Sequence, residues 1–91
     1  MTKNHPYETG ANYFIRTVTN FYTGKLVGVT DKELVLESAA WIADTGRFAD
    51  ALSNGTLNEV EPYPEGTQVI VNRDALCDAS IWKHPLPRTQ K

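Results

Sequence analysis

The sequence has one cysteine, two histidines and no long apolar run, and each shortage closes a class of answer. A single thiol, Cys77, allows no internal disulfide and fits a reducing compartment, so the cytoplasm is the expected location. His5 and His84 lie in the two terminal stretches and leave no ligand set for a metal, so no metal and no cofactor is expected. A bilayer span needs about 18 consecutive apolar residues, and none exists here. Residues 1–6 lack the apolar segment that heads a secretory signal. There is no Gly-x-Ser-x-Gly elbow, no Walker A loop and no dinucleotide fingerprint. Pairs such as Asp44 with Asp50, or Glu59 with Glu61, are the remaining candidates for acid–base work. Exposed carboxylates are so common that the chain is read as non-enzymatic.

What the sequence does have is a small, mixed, β-rich body. Its 91 residues carry 41% hydrophobic and 22% charged side chains, with a formal charge of −2. A single domain of this size is expected to bury roughly 60–65% of its unfolded surface, so partners or shared edges would help to stabilise it. The charge is unevenly placed. Between Tyr13 and Trp82 there are five basic and ten acidic residues, a body charge of −5. Non-specific nucleic-acid binding relies on clustered Lys and Arg to release counterions, so that class is disfavoured. A few arginines can still hold one small anion, because that requires geometry and not net charge.

The order of elements follows from the β-formers and the breakers. Residues 1–11 read as an irregular arm, with Tyr7 available to pack on the body. Strands are expected over 12–19, 22–29, 33–38, 68–72 and 76–82. In the second, Gly24 and Gly28 stand four apart on one side and mark a bend or a close backbone approach. In the third, Leu34 and Leu36 alternate with Glu33, Val35 and Glu37. A helix is expected over 47–54, with Asp44 or Thr45 as N-cap, Phe48, Ala51 and Leu52 as its buried stripe, and Gly55 just past its end. Residues 56–66 read as a loop with turns at Pro62 and Pro64, and 83–91 as an extended tail. The expectation is a mainly β domain over 12–82: a small five-stranded barrel with one short helix between strands three and four. Its open edge invites a neighbour, so a homo-oligomer is expected.

The run Tyr22-Thr23-Gly24-Lys25-Leu26 through Leu36-Glu37-Ser38-Ala39 resembles the first motif of Sm-like proteins, with a glycine in a bent second strand, a turn containing Asp31 and a strand ending Leu-x-x-Ala. Val69-Ile70-Val71-Asn72-Arg73-Asp74 is similar to the second motif, with Asp74 in place of its glycine. The resemblance covers about a third of the chain and implies an Sm-like or SH3-like barrel. The order Ile15-Arg16-Thr17, Gly24-Lys25-Leu26, Leu36-Glu37-Ser38-Ala39, Trp41 and the helix over 47–54 also resembles a group of small phage proteins. That resemblance implies a phage or prophage context in a bacterial host. Some phage proteins of this size are oligomeric sponges for nucleotide immune signals.

The segment Trp41-Ile42-Ala43-Asp44-Thr45-Gly46-Arg47-Phe48 is the most suggestive for binding. A helix start offers free N–H groups to an anion, Thr45 a hydroxyl, Arg47 a planar fork and Trp41 a face for a base. Arg16, mid-strand, could join such a pocket from a neighbouring subunit. Arg73 corresponds to a position that contacts nucleotide in the Sm-like family. The plainer reading is that Asp44 or Thr45 caps the helix, Trp41 fills the barrel mouth and the arginines pair with acids. Arg16, Trp41, Thr45, Arg47 and Arg73 are therefore the candidate ligand-binding set for a small anionic ligand such as a nucleotide. The alternative function is a structural or protein-interaction module, a virion or host-takeover component with a protein partner. An RNA-binding ring is disfavoured by the acidic body, and no membrane association is expected.

Overall fold

The computed structural model describes residues 5–91; the first four residues of the expected arm lie outside the described residues. Three long strands form the centre: β1 (Asn12–Thr17), β2 (Phe21–Val29) and β3 (Glu33–Asp44). After them come helix α1 (Phe48–Asn54), β4 (Glu59–Pro62), β5 (Val69–Asn72), a single 3-10 turn (Arg73–Ala75) and β6 (Leu76–Ile81). All pairings are antiparallel, in the order β4-β3-β2-β1-β6, with β5 also on β3.

Two features depart from the expected five-stranded barrel. The sheet has six strands and is open, with no hydrogen-bonded closure. The additional strand is β4, in the stretch read as a loop. Val60 is buried there between Glu59 and Glu61, the alternation of a half-buried strand. The sheet stays open because β4 and β5 both occupy the same side of β3, while β6 pairs only with β1.

The cause of this arrangement lies at Ser38. It has φ of 51°, the one positive φ among described residues other than glycine. The pairing moves from Thr23↔Ala40 to Lys25↔Glu37, so β3 carries one extra residue there. Such a bulge bends the strand and swaps the faces of everything beyond it. Before it, Leu34 and Leu36 face the core that also holds Tyr13, Ile15, Leu26, Ala39 and Val71. After it, Ala40 and Ile42 face a second core with Phe14, Ala51, Leu57, Val60 and Trp82. Phe14 and Ile15 are adjacent on β1 and belong to different clusters, so the two cores lie on opposite faces of the sheet.

Gly24 lies against this bulge. A β-carbon there would stand 3.1 Å from Leu36 Cβ and 3.2 Å from Ala39 Cβ. Gly28 is different, since a β-carbon would meet Val35 at an ordinary 3.5 Å. The paired glycines thus serve unequal ends, and only Gly24 marks a close approach. Gly24→Ala is expected to destabilise the fold by about 1–3 kcal/mol through overpacking, whereas Gly28→Ala, with room for the β-carbon and no positive φ, is expected to stabilise it by up to about 1 kcal/mol. Urea melts of the two variants check this; equal midpoints would refute it.

The second core is covered by α1 and by the stretch after β6. Trp82 Nε1 donates to Pro85 O at 3.1 Å, and His84 Nε2 lies 2.9 Å from Leu52 O. Leu86 packs on the cluster. Arg88 donates from Nη1 to Ala39 O at 2.9 Å and from Nη2 to Tyr63 O at 3.0 Å. Lys91 and Val60 exchange both backbone hydrogen bonds, at 2.9 and 3.0 Å, so residues 83–91 run back over the helical face to the outer edge of β4. On the other face, Glu8 N donates to Tyr13 Oη at 2.9 Å, and Tyr7 packs against the first core.

Candidate functional site

The cross-strand register lays out two rows of side chains. On the helical face the row is Asp78, Arg16, Phe21, Ile42 and Val60; on the other it is Ala79, Ile15, Tyr22, Trp41 and Glu61. Directly opposed residues of one face sit about 5 Å apart at Cβ. The first row is buried at Ile42 and Val60 and ends in the exposed Arg16–Asp78 pair. The second starts in the buried core at Ile15 and emerges at Trp41, which is 41% exposed.

The candidate residues fall on this frame as follows. Arg16 is on the helical face, where Nη2 donates to Asp78 Oδ2 and Cζ lies 5.6 Å from the Phe48 ring centroid. The Asp78 carboxylate raises the Arg16 pKa, first through this hydrogen bond and then through its charge. Arg16 Nε is enclosed without a partner. Trp41 is on the opposite face. Thr45 is buried, and its Oγ1 donates to Gly46 O at 2.8 Å. Asp44 Oδ1 accepts from Gly46 N at 2.8 Å. Neither of them caps the helix, contrary to expectation: the N-cap is Arg47, with no side-chain hydrogen bond, because the Asp44 and Thr45 side chains are spent on the turn before it. The seven residues of α1 sum few peptide dipoles. Arg73 stands at the far end of β5. Its Nη1 donates to Thr30 O at 2.6 Å and its Cζ lies 5.5 Å from the Tyr7 ring. Opposite faces and opposite ends of the sheet therefore separate Arg16, Trp41 and Arg73.

Of the five, Trp41 lines a groove on the open face of its row. This groove of about 390 Å³ is formed by Asn20, Tyr22, Trp41, Glu61, Tyr63 and the two flanking prolines, Pro62 and Pro64. Tyr22, Trp41 and Glu61 are neighbours in one row, and Tyr63 N donates to Ala39 O at 2.9 Å, which holds it beside them. Asn20 Nδ2 donates to Tyr22 Oη at 3.3 Å. Burial, and then the Tyr22 hydroxyl, push the Tyr63 phenol above the usual tyrosine range, so the Tyr63 phenol stays neutral at physiological pH. Glu61 is the one charged lining residue. Its Oε2 accepts from Gln90 Nε2 at 3.2 Å.

Tyr22, Glu61 and Tyr63 are not among the candidates drawn from the sequence. The row that unites them needs the bulge at Ser38 to set which residues oppose Trp41. The available signal is the run Glu61-Pro62-Tyr63-Pro64, where an aromatic between prolines follows a strand-like alternation. Among the described residues no group of three His, Cys, Asp or Glu side chains is placed to hold a metal ion, and no helix is long and apolar enough to cross a membrane. No family model, curated protein or solved structure matches the chain. The Sm-like and phage resemblances therefore rest on the sequence patterns alone.

Proposed function

We propose that the chain is a non-catalytic recognition module that takes a segment of another protein in the groove of Tyr22, Trp41 and Tyr63. The observation that carries this reading is the cross-strand row in which Trp41, half exposed, lies between Tyr22 and Glu61. Tyr and Trp are the residue types that concentrate binding energy at protein interfaces, since each presents a large area at low conformational cost. A folded chain gains nothing in stability from leaving a tryptophan 41% exposed, whereas a partner segment would bury it. The small-anion reading has less support: Arg16 is engaged by Asp78 and Arg73 by a backbone carbonyl, and the charge in the groove is a carboxylate.

The test is capture of partner proteins on the immobilised chain from the cells that produce it, with Trp41→Ala and Ile70→Ala compared. Ile70 is 63% exposed on β5, away from the groove. A hot-spot residue is worth 2 kcal/mol or more, about 30-fold. A partner recovered equally by the unaltered chain and Ile70→Ala, and at least about tenfold less by Trp41→Ala, supports the reading. Equal recovery with all three overturns it.

A further inference from the structure

We infer that the segment bound in this groove presents a cationic side chain, an arginine, to Tyr22, Trp41 and Tyr63. This inference rests on the reading of the groove as a recognition site and specifies what enters it. Three aromatic side chains converge on one cavity, and the prolines beside them contribute no backbone donor from their nitrogens. A cation within about 6 Å of an aromatic ring is attracted by the ring quadrupole, and tryptophan is the strongest partner. Guanidinium is planar and weakly hydrated, so it stacks on rings where an ammonium would keep its water.

Charge points the same way. Glu61 faces Trp41 directly across the β3–β4 pair, and its carboxylate is at an exposed position, where it can accept from an incoming N–H. No arginine or lysine is among the residues lining the groove itself; Arg88 lines the adjoining cavity that shares Glu61 and Tyr63, with its guanidinium engaged by the Ala39 and Tyr63 carbonyls. With residues 83–91 packed on the fold the chain carries only −2, so the attraction for a cation is local and lies in Glu61. The groove wall is also held in place by the returning stretch. Arg88 binds the carbonyls of Ala39 and Tyr63, so Tyr63 does not need to be ordered by the ligand. A preformed site loses less entropy on binding.

The experiment is an NMR titration of the full chain, following the two tryptophan indole N–H signals. Trp82 is the internal reference, because it is buried and its indole is bound to Pro85. The probes are three acetylated, amidated pentapeptides of glycine and serine with arginine, glutamine or glutamate at the centre, and adenosine monophosphate. The arginine peptide is expected to shift the Trp41 signal saturably and to bind at least about fivefold more tightly than the glutamine peptide. Glu61→Gln, at an exposed position, is expected to reduce that preference below about twofold and to flatten its dependence on salt. Equal binding of the arginine and glutamine peptides overturns the cation and leaves the groove as a recognition site. No shift of Trp41 by any peptide also overturns the inference, while partner capture by the unaltered chain and its loss in Trp41→Ala decide the broader reading separately. A stronger response to the glutamate peptide or to adenosine monophosphate overturns it in favour of an anionic occupant.

Discussion

Trp82→Ala is expected to remove about 3–5 kcal/mol of stability, as truncation of a large buried aromatic generally does. Trp82 is only 3% exposed and stacks on Phe14 with ring centroids 5.6 Å apart. Its other side meets His84 edge-on at 4.9 Å. It is thus the piece that joins β1, α1 and the returning stretch into one cluster. A 91-residue domain has a total stability of roughly 5–13 kcal/mol, so the loss is a large share of the whole. Each kcal/mol lowers the midpoint by about 4–8 °C at this size, which places the expected fall at 12 °C or more. Trp82→Phe keeps a stacking ring and loses the indole hydrogen bond to Pro85, so it is expected to cost about 1–2 kcal/mol. Thermal and urea unfolding of the two variants measure the difference. A fall below about 1 kcal/mol for the alanine variant would mean that the second core holds together without its central aromatic.

The legible part of this fold is the part written in local pattern. Leu34 and Leu36 alternate and are buried as the alternation requires. Gly55 ends α1 in the left-handed conformation, φ 74°, and its N–H reaches Ala51 O; the sequence position alone predicts this, because a β-carbon is disfavoured there. What local pattern does not carry is the bulge. Serine rarely adopts a positive φ, and nothing in Glu37-Ser38-Ala39 announces that the inward face changes there. Once the face changes, β3 has two halves that each need an edge strand. A stretch with one proline and two acids then supplies β4, where the loop reading had no reason to look. The candidate site failed to converge for the same reason. Trp41 is legible as a candidate stacking face, but its neighbours are set by register: Tyr22 from one strand and Glu61 from another. Arginines attract attention in a sequence because of their charge, yet a charge pairs with whatever lies opposite. Arg16 lies opposite Asp78.

Removing residues 85–91 is expected to destabilise the chain by about 2–4 kcal/mol and to loosen one face more than the other. The deletion strips the Trp82 indole of its acceptor, takes Leu86 off the second core and removes both Arg88 hydrogen bonds. One well-buried apolar side chain is worth about 1.5–3 kcal/mol, and each lost hydrogen bond about 0.5–1.5 kcal/mol. Leu86 is only half-buried and Arg88 is largely solvent-exposed, which keeps the total at the modest end of such a list. The spatial signature is more diagnostic than the sum. Val60 N donates to Lys91 O at 3.0 Å, so its amide is expected to lose hydrogen-exchange protection in the shortened chain. Amides of β1 and β2 around Ile15 and Leu26, both fully buried, are expected to keep theirs. The freed edge of β4 becomes a strand with unpaired donors and acceptors, an opening for association with a second chain. A rise in apparent mass with concentration, seen by light scattering for the shortened chain alone, is the expected consequence. Arg88→Ala separates the contributions. It leaves Leu86 and the Val60–Lys91 pair in place and is expected to cost about 1 kcal/mol, with Val60 still protected. If the shortened chain instead keeps the protection of Val60 and the stability of the whole, the stretch lies on the surface without holding it, and the edge of β4 needs no cover.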